Sequence, residues 1–212
     1  MPNQLSILLL MAALPVAAQD NSWKTEIDNS LVHVSRRLVG AHETVSAAEM
    51  RSGLFVLLTD HSVRVTTAAL QEERRGAPGQ FFWHPGGRIS LENLSDHAME
   101  VALVAPKFSP ASEPAPAVLN GRSVVFENDL IRVRHVSGAA VRRTAERPLP
   151  SLVIQLSAAH FRLTYTDGRV EEFRVKAGDI RFEAAGAFNF ENLGDRLEAL
   201  RVELKVGKRD RE

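Results

Sequence analysis

The chain has 212 residues, in which 26 Lys and Arg balance 26 Asp and Glu, and it has no cysteine. Balanced charge excludes a general attraction to nucleic acid or anionic lipid, and the lack of thiols excludes disulfides, thiolate catalysis and thiolate-ligated zinc. At about 100–200 residues per domain, this length suits one or two ordinary domains.

Ser6 to Ala18 (SILLLMAALPVAA) is apolar and uncharged. A bilayer span needs roughly 20 such residues, so the run matches a signal-peptide h-region instead. Val16-Ala17-Ala18 supplies the small residues before a cleavage site, although Met1 to Gln4 lacks Lys or Arg. Residues 1–18 are therefore expected to be a signal peptide, cleaved near Ala18 on export to the periplasm or beyond; the competing reading is an apolar segment of the core. No later stretch is long and apolar enough for a membrane span. Asp20 to Asp28 is polar and reads as a lead-in.

From Leu31 onward one pattern runs through the chain twice. Leu31-Val32-His33-Val34 matches Leu130-Ile131-Arg132-Val133, Gly40-Ala41 matches Gly138-Ala139, and Leu54 to Leu58 matches Leu152 to Leu156. Arg64-Val65-Thr66-Thr67 matches Arg162-Leu163-Thr164-Tyr165, and Met99 to Val104 is set against Ala199 to Leu204. The offset is 99 at Leu31/Leu130, 98 at Gly40/Gly138 and 99 at Gly79/Gly178. Solenoid repeats have periods of about 20–50 residues, so this one marks duplication of a whole small domain.

Both copies are strand-rich, with β-branched runs separated by turn residues at short intervals, as in a sandwich or barrel. Phe161 to Tyr165 turns through Thr166-Asp167-Gly168 into Arg169 to Val175, placing Phe161, Leu163 and Tyr165 on one face. In the first copy, Gln71 to Pro78 replaces that turn and reads as a charged, open loop. Four prolines between Pro106 and Pro116 mark the boundary. The expected domains are 28–105 and 126–205, joined by a Pro-rich linker and lead-in strand at 106–125.

The most specific repeat runs from Gly79 through Pro85-Gly86-Gly87 to Glu92-Asn93-Leu94-Ser95-Asp96, and from Gly178-Asp179 through Gly186 to Glu191-Asn192-Leu193-Gly194-Asp195. Both copies resemble the second motif of the cupin family. The resemblance covers nearly all of the chain after the signal segment. It implies an all-β fold of two tandem cupin-like double-stranded β-helix barrels of jelly-roll type, a bicupin. Metal-binding cupins carry His-x-His and Glu in a first motif and one His in the second. Carried over, the first-motif histidines fall within Ala48-Glu49-Met50 and Glu146-Arg147-Pro148, and the second-motif histidine falls at Ile89 and at Phe188. None of these residues is histidine, so the expectation is no metal and no other cofactor.

The seven histidines form no pair at ligand spacing; His42 follows Gly40 too closely for the family's ligand position. Arg142, Arg143 and Glu146 stand where the second barrel's ligands would be, and with Tyr165 and His84 they are the binding candidates for a small polar or sugar-like ligand. Each has a plainer role: a solvated loop for the first three, core packing for Tyr165 and turn positioning for His84. No catalytic residue is assigned. The leading expectation is an exported, metal-free, non-catalytic module that binds a small molecule or serves structurally. The alternatives are an isomerase, epimerase or related enzyme with a rebuilt site, and a subunit of an envelope assembly.

Overall fold

A computed structural model describes residues 22–109, 124–138 and 142–206, with the backbone alone described at 47–48 and 142–147. The expected signal segment and most of the Pro-rich linker lie outside these residues. The first unit comprises β1 (Lys24–Asp28), β2 (Val32–Val39), β3 (Thr44–Met50), β4 (Gly53–Leu57), β5 (His61–Thr67), β6 (Gln71–Gly76), β7 (Phe81–His84), β8 (Gly87–Asn93) and β9 (Met99–Pro106). The second comprises β10 (Val124–Glu127), β11 (Ile131–Gly138), β12 (Arg142–Arg147), β13 (Ser151–Gln155), β14 (Ala159–Tyr165), β15 (Val170–Val175), β16 (Ile180–Glu183), β17 (Gly186–Asn192) and β18 (Leu197–Leu204). Among the described residues no helix is long and apolar enough to cross a membrane.

Each unit pairs a five-stranded with a four-stranded sheet. The orders are β1-β2-β9-β4-β7 with β3-β8-β5-β6, then β10-β11-β18-β13-β16 with β12-β17-β14-β15. The second unit thus repeats the first strand for strand. Apart from the hairpins β1–β2 and β5–β6 and their repeats β10–β11 and β14–β15, successive strands cross between the two sheets, which gives the double-stranded β-helix.

The apolar stretches within β4 and β13 follow from where these strands sit. All five residues of each are buried, because a central strand here is covered on both faces. Side chains alternate along a strand. Leu54 and Val56 face the second unit while Phe55 and Leu57 face into their own barrel, and Leu152 and Ile154 face back across the junction. The two five-stranded sheets therefore pack face to face in one core that also holds Val34, Val104, Val133 and Val202. Aromatic rings extend it, with Trp83 stacked on Phe126 at 6.4 Å between ring centres.

Several local expectations change. The polar lead-in contains β1, which pairs with β2. The charged stretch from Gln71 is not an open loop: its first six residues form β6, in register with β5. Three of its four charges, Glu72, Glu73 and Arg74, find partners on the strand or its neighbour, and the fourth, Arg75, is exposed. Arg64 pairs with Glu73 at 2.8 Å and with Glu92 at 2.6 Å, and Arg74 pairs with Glu72. In the last strands, sheet register sets Leu54 opposite Val104 and Leu152 opposite Val202. The equivalent of Met99 is therefore Leu197, two residues before the Ala199 suggested by sequence.

The repeated polar residues have turn-closing roles. Asn29 Oδ1 accepts from the amides of Leu31 and Val32, and Asn128 Oδ1 does the same for Leu130 and Ile131. Asn93 is fully buried, and its Nδ2 donates to the carbonyls of Val39, Gly40 and His97 at 3.2, 2.9 and 2.7 Å. Gly79 has φ +94°, and a Cβ there would lie 2.6 Å from Leu156 Cδ1 across the junction. Replacing Asn93 by alanine removes all three of these hydrogen bonds from a buried side chain and is expected to cost about 2–3 kcal/mol in urea denaturation. The same change at Asn192, whose Nδ2 has no partner among the described residues, is expected to cost less.

Candidate functional site

Register makes the two barrel interiors comparable position by position. Phe55 is opposite Phe82 and Leu103, and Val153 is opposite Arg181 and Arg201. Gly53 is opposite His84, and Ser151 is opposite Glu183 and Glu203. The inward wall of the first barrel thus reads Phe82, His84, Leu103 and Ala105 where that of the second reads Arg181, Glu183, Arg201 and Glu203.

The first barrel is filled by hydrocarbon. Phe55 stacks on Phe82 at 5.0 Å and meets Trp23 and His84 edge-on at 6.2 and 6.0 Å. Ile89, Leu91, Val63 and Val65 close the opposite wall. His84 is 2% exposed, and its Nε2 lies 3.3 Å from the Gly87 carbonyl, so it packs inward and also ties the β7–β8 turn. A cavity of about 510 Å³ remains at the margin of this barrel, bordered by Trp23, His33, Glu49 and Lys107. There the Asp28 carboxyl is held below its usual range by hydrogen bonds from Lys107 and then His33. The second barrel keeps the same clamp: hydrogen bonds from Arg132 and Lys205 lower Glu127. A clamp common to both copies, joining the first hairpin to the last strand, is scaffold.

The second barrel is two-sided. Its four-stranded sheet presents Phe161, Leu163, Phe173, Phe188 and Phe190. Its five-stranded sheet presents ions. Arg181 pairs with Glu183, whose side chain is 4% exposed, and Arg201 Nη2 lies 3.8 Å from the same carboxylate. Glu203 meets Arg134 at 2.9 Å and Arg132 at 3.4 Å. The Arg181 guanidinium lies over Phe173 at 4.3 Å and over Phe161 at 4.9 Å, which fixes its plane. An inner void of about 30 Å³, room for a water or two, touches Gln155, Arg181, Glu183 and Arg201. Beside it a cavity of about 450 Å³ is bordered by Tyr165, Arg169, Phe173, Arg181, Glu183 and Phe188. That volume is in the range of small-molecule sites, and an apolar lining with a few convergent polar groups is their usual chemistry.

Of the residues singled out from sequence, Tyr165 lies at this cavity, its hydroxyl donating to Glu171 Oε2 at 3.0 Å. His84 lies in the other barrel, so the two do not converge. Arg142, Arg143 and Glu146 lie on β12, opposite Glu191, Phe190 and Ala187; their side chains are outside the described residues. Ile89 and Phe188, where the resemblance places a histidine, are both buried inward, at 2% and 3% exposure. Their register partners are Ala47 and Ala145, one residue before the inferred first-motif sites. His42 is an exposed turn residue with φ 57°, paired with Asp96 at 2.9 Å. Among the described residues no group of three or more His, Asp or Glu is placed to hold a metal ion. Sequence reasoning passed over Arg181, Glu183, Arg201 and Gln155. The available signal was the replacement of apolar residues in one copy by charged ones at inward positions of the other.

No protein-family model and no curated protein sequence matches the chain. Solved structures do. A cupin 2 conserved barrel domain protein from Leptotrichia buccalis is 12% identical, with a TM-score of 0.58 over 87% of this chain and 88% of that one. Oxalate decarboxylase from Bacillus subtilis is 13% identical, with a TM-score of 0.51 over 85% and 74%. The coconut allergen cocosin is 9% identical, with a TM-score of 0.58 over 81% and 76%. These proteins differ in what they do, and at such identities the likeness concerns architecture alone. In architecture the chain is a bicupin, two cupin barrels in tandem joined through their five-stranded sheets.

Proposed function

We propose that this bicupin is an exported small-molecule-binding module, working without a resident metal, whose binding cavity is the mouth of the second barrel. One observation carries this reading. At equivalent inward positions the first barrel holds Phe82 and Leu103, and the second holds Arg181 and Arg201. Charge in a barrel wall is costly to the fold, because each ion must be desolvated. The first copy shows that the same architecture closes with hydrocarbon instead, so the ions are not a requirement of the scaffold. A general base for an enzymatic role would need a proton acceptor at the cavity, and the two carboxylates that line it, Glu171 and Glu183, are paired with Arg169 and Arg181.

A two-dimensional amide NMR titration of the purified mature protein with small polar and sugar-like compounds is the test. Bound compounds are expected to shift the amides of Tyr165, Phe173 and 181–188 and to leave those of Phe55 and Leu57 unmoved. Shifts confined to the first barrel, or stoichiometric transition metal retained through purification, would overturn the proposal. Amino-terminal sequencing of exported material is expected to begin near Gln19.

A further inference from the structure

The inner void of the second barrel has polar walls where the first barrel is packed with hydrocarbon. Gln155, Arg181, Glu183 and Arg201 border its roughly 30 Å³. Register places Leu57, Phe82, His84 and Leu103 at the equivalent positions of the first barrel. The space itself follows from the same comparison, because Val153 borders it where the larger Phe55 fills the first core.

Two groups at this void have a buried polar atom to satisfy. Gln155 is 3% exposed, and its Oε1 has no hydrogen-bond partner among the described residues. Arg181 gives Nη2 to Glu183, and its Nη1 is buried without a partner among the described residues. The guanidinium lies over Phe161 and Phe173, so Nη1 cannot turn toward solvent without giving up both rings. A buried acceptor and a buried donor left unpaired each cost more than a typical hydrogen bond returns.

We propose that the inner void is a hydration site, holding one or two ordered waters that accept from Arg181 Nη1 and donate to Gln155 Oε1. The lining selects water over an ion. An anion would satisfy Nη1 but meet the Gln155 oxygen and the Glu183 carboxylate, and a cation would satisfy those and meet two guanidiniums. Water takes both roles. Each molecule needs about 10–15 Å³ of such space, which the void supplies. Rotating the Gln155 amide by half a turn presents a donor instead, and water accommodates that orientation too. Arg181 and Glu183 also border the mouth cavity, so the water hydrates from within an ion pair that the mouth meets from outside. The site stands whether or not a ligand enters the mouth.

Oxygen-17 relaxation dispersion of water, measured on the purified mature protein, counts long-lived internal waters and is the test. Gln155→Leu installs the first barrel's residue and is expected to remove the amplitude of one or two waters. Val153→Leu fills the space by one methylene, leaves Gln155 in place and is expected to remove the same amplitude. Unchanged amplitude in either folded variant overturns the proposal. If neither variant folds, the wild-type protein decides. Water is then expected to show direct nuclear Overhauser contacts, with the sign of a long-lived water, to the Val153 methyl groups and none to those of Leu57. Lack of such contacts at Val153 overturns the proposal. Saturable shifts of the Gln155 and Arg181 side-chain signals on adding chloride at fixed ionic strength would assign the void to an anion and overturn it as well.

Discussion

Truncation of Phe55 to alanine is expected to destabilise the protein by about 3–5 kcal/mol, the range for deleting a fully buried ring from a packed core. Phe55 is fully buried, with Phe82 stacked on one face and Trp23 and His84 against its edge. Those partners come from β7 and from the segment before β1, so relaxing into the hole would require two separate pieces of the barrel to move. The cost should fall near the top of the range for that reason. The equivalent residue in the second barrel is Val153, which borders the inner void. Val153→Ala removes two methyl groups beside existing free space and is expected to cost roughly 2 kcal/mol or less. Urea denaturation of both variants measures the contrast. A Phe55→Ala cost below about 1 kcal/mol would show that the first barrel yields easily and that its packing is no bar to a ligand.

What could be read from sequence divides along one physical line. Fold followed from residues that act locally and recur: Asn29 and Asn128 closing their turns, Gly79 and Gly178 at positive φ, and apolar stretches where a strand is covered on both faces. These roles are set by backbone geometry, so both copies keep them and the repeat exposes them. β6 was misread because charge looks like solvent exposure along a sequence, and only the partner strand shows that Arg64 has Glu73 beside it. The site was hidden for a related reason. Arg181 sits three residues after Gly178 and reads as an ordinary surface arginine until register shows it facing inward beside Glu183. Alternation within β16 gives two possible faces, and nothing local decides which of them lies inside. Tyr165 was legible because its strand carries Phe161 and Leu163 on the same face. Its place at the cavity depended on β16 and β17, far along the chain.

The charged wall makes the other large prediction. Glu203 is 9% exposed and stands between two arginines, Arg132 at 3.4 Å and Arg134 at 2.9 Å. Arg132 keeps a second carboxylate at Glu127, so its neutralisation does not rest on Glu203 alone. Removing Glu203 places two desolvated cations beside each other without the anion that separates them. Glu203→Ala is expected to cost about 3–5 kcal/mol, the range for breaking a buried ion pair from one side. Most of that is the penalty of the charge left behind. The first barrel supplies the control, because its equivalents of Arg134 and Glu203 are Ser35 and Ala105. The double change Arg134→Ser with Glu203→Ala recreates that neutral pair and should recover about 1–3 kcal/mol relative to the sum of the single changes. Denaturation of the two single variants and the double variant closes the cycle. Additive losses would mean that water already screens the wall. The arginines would then behave as solvated surface charges.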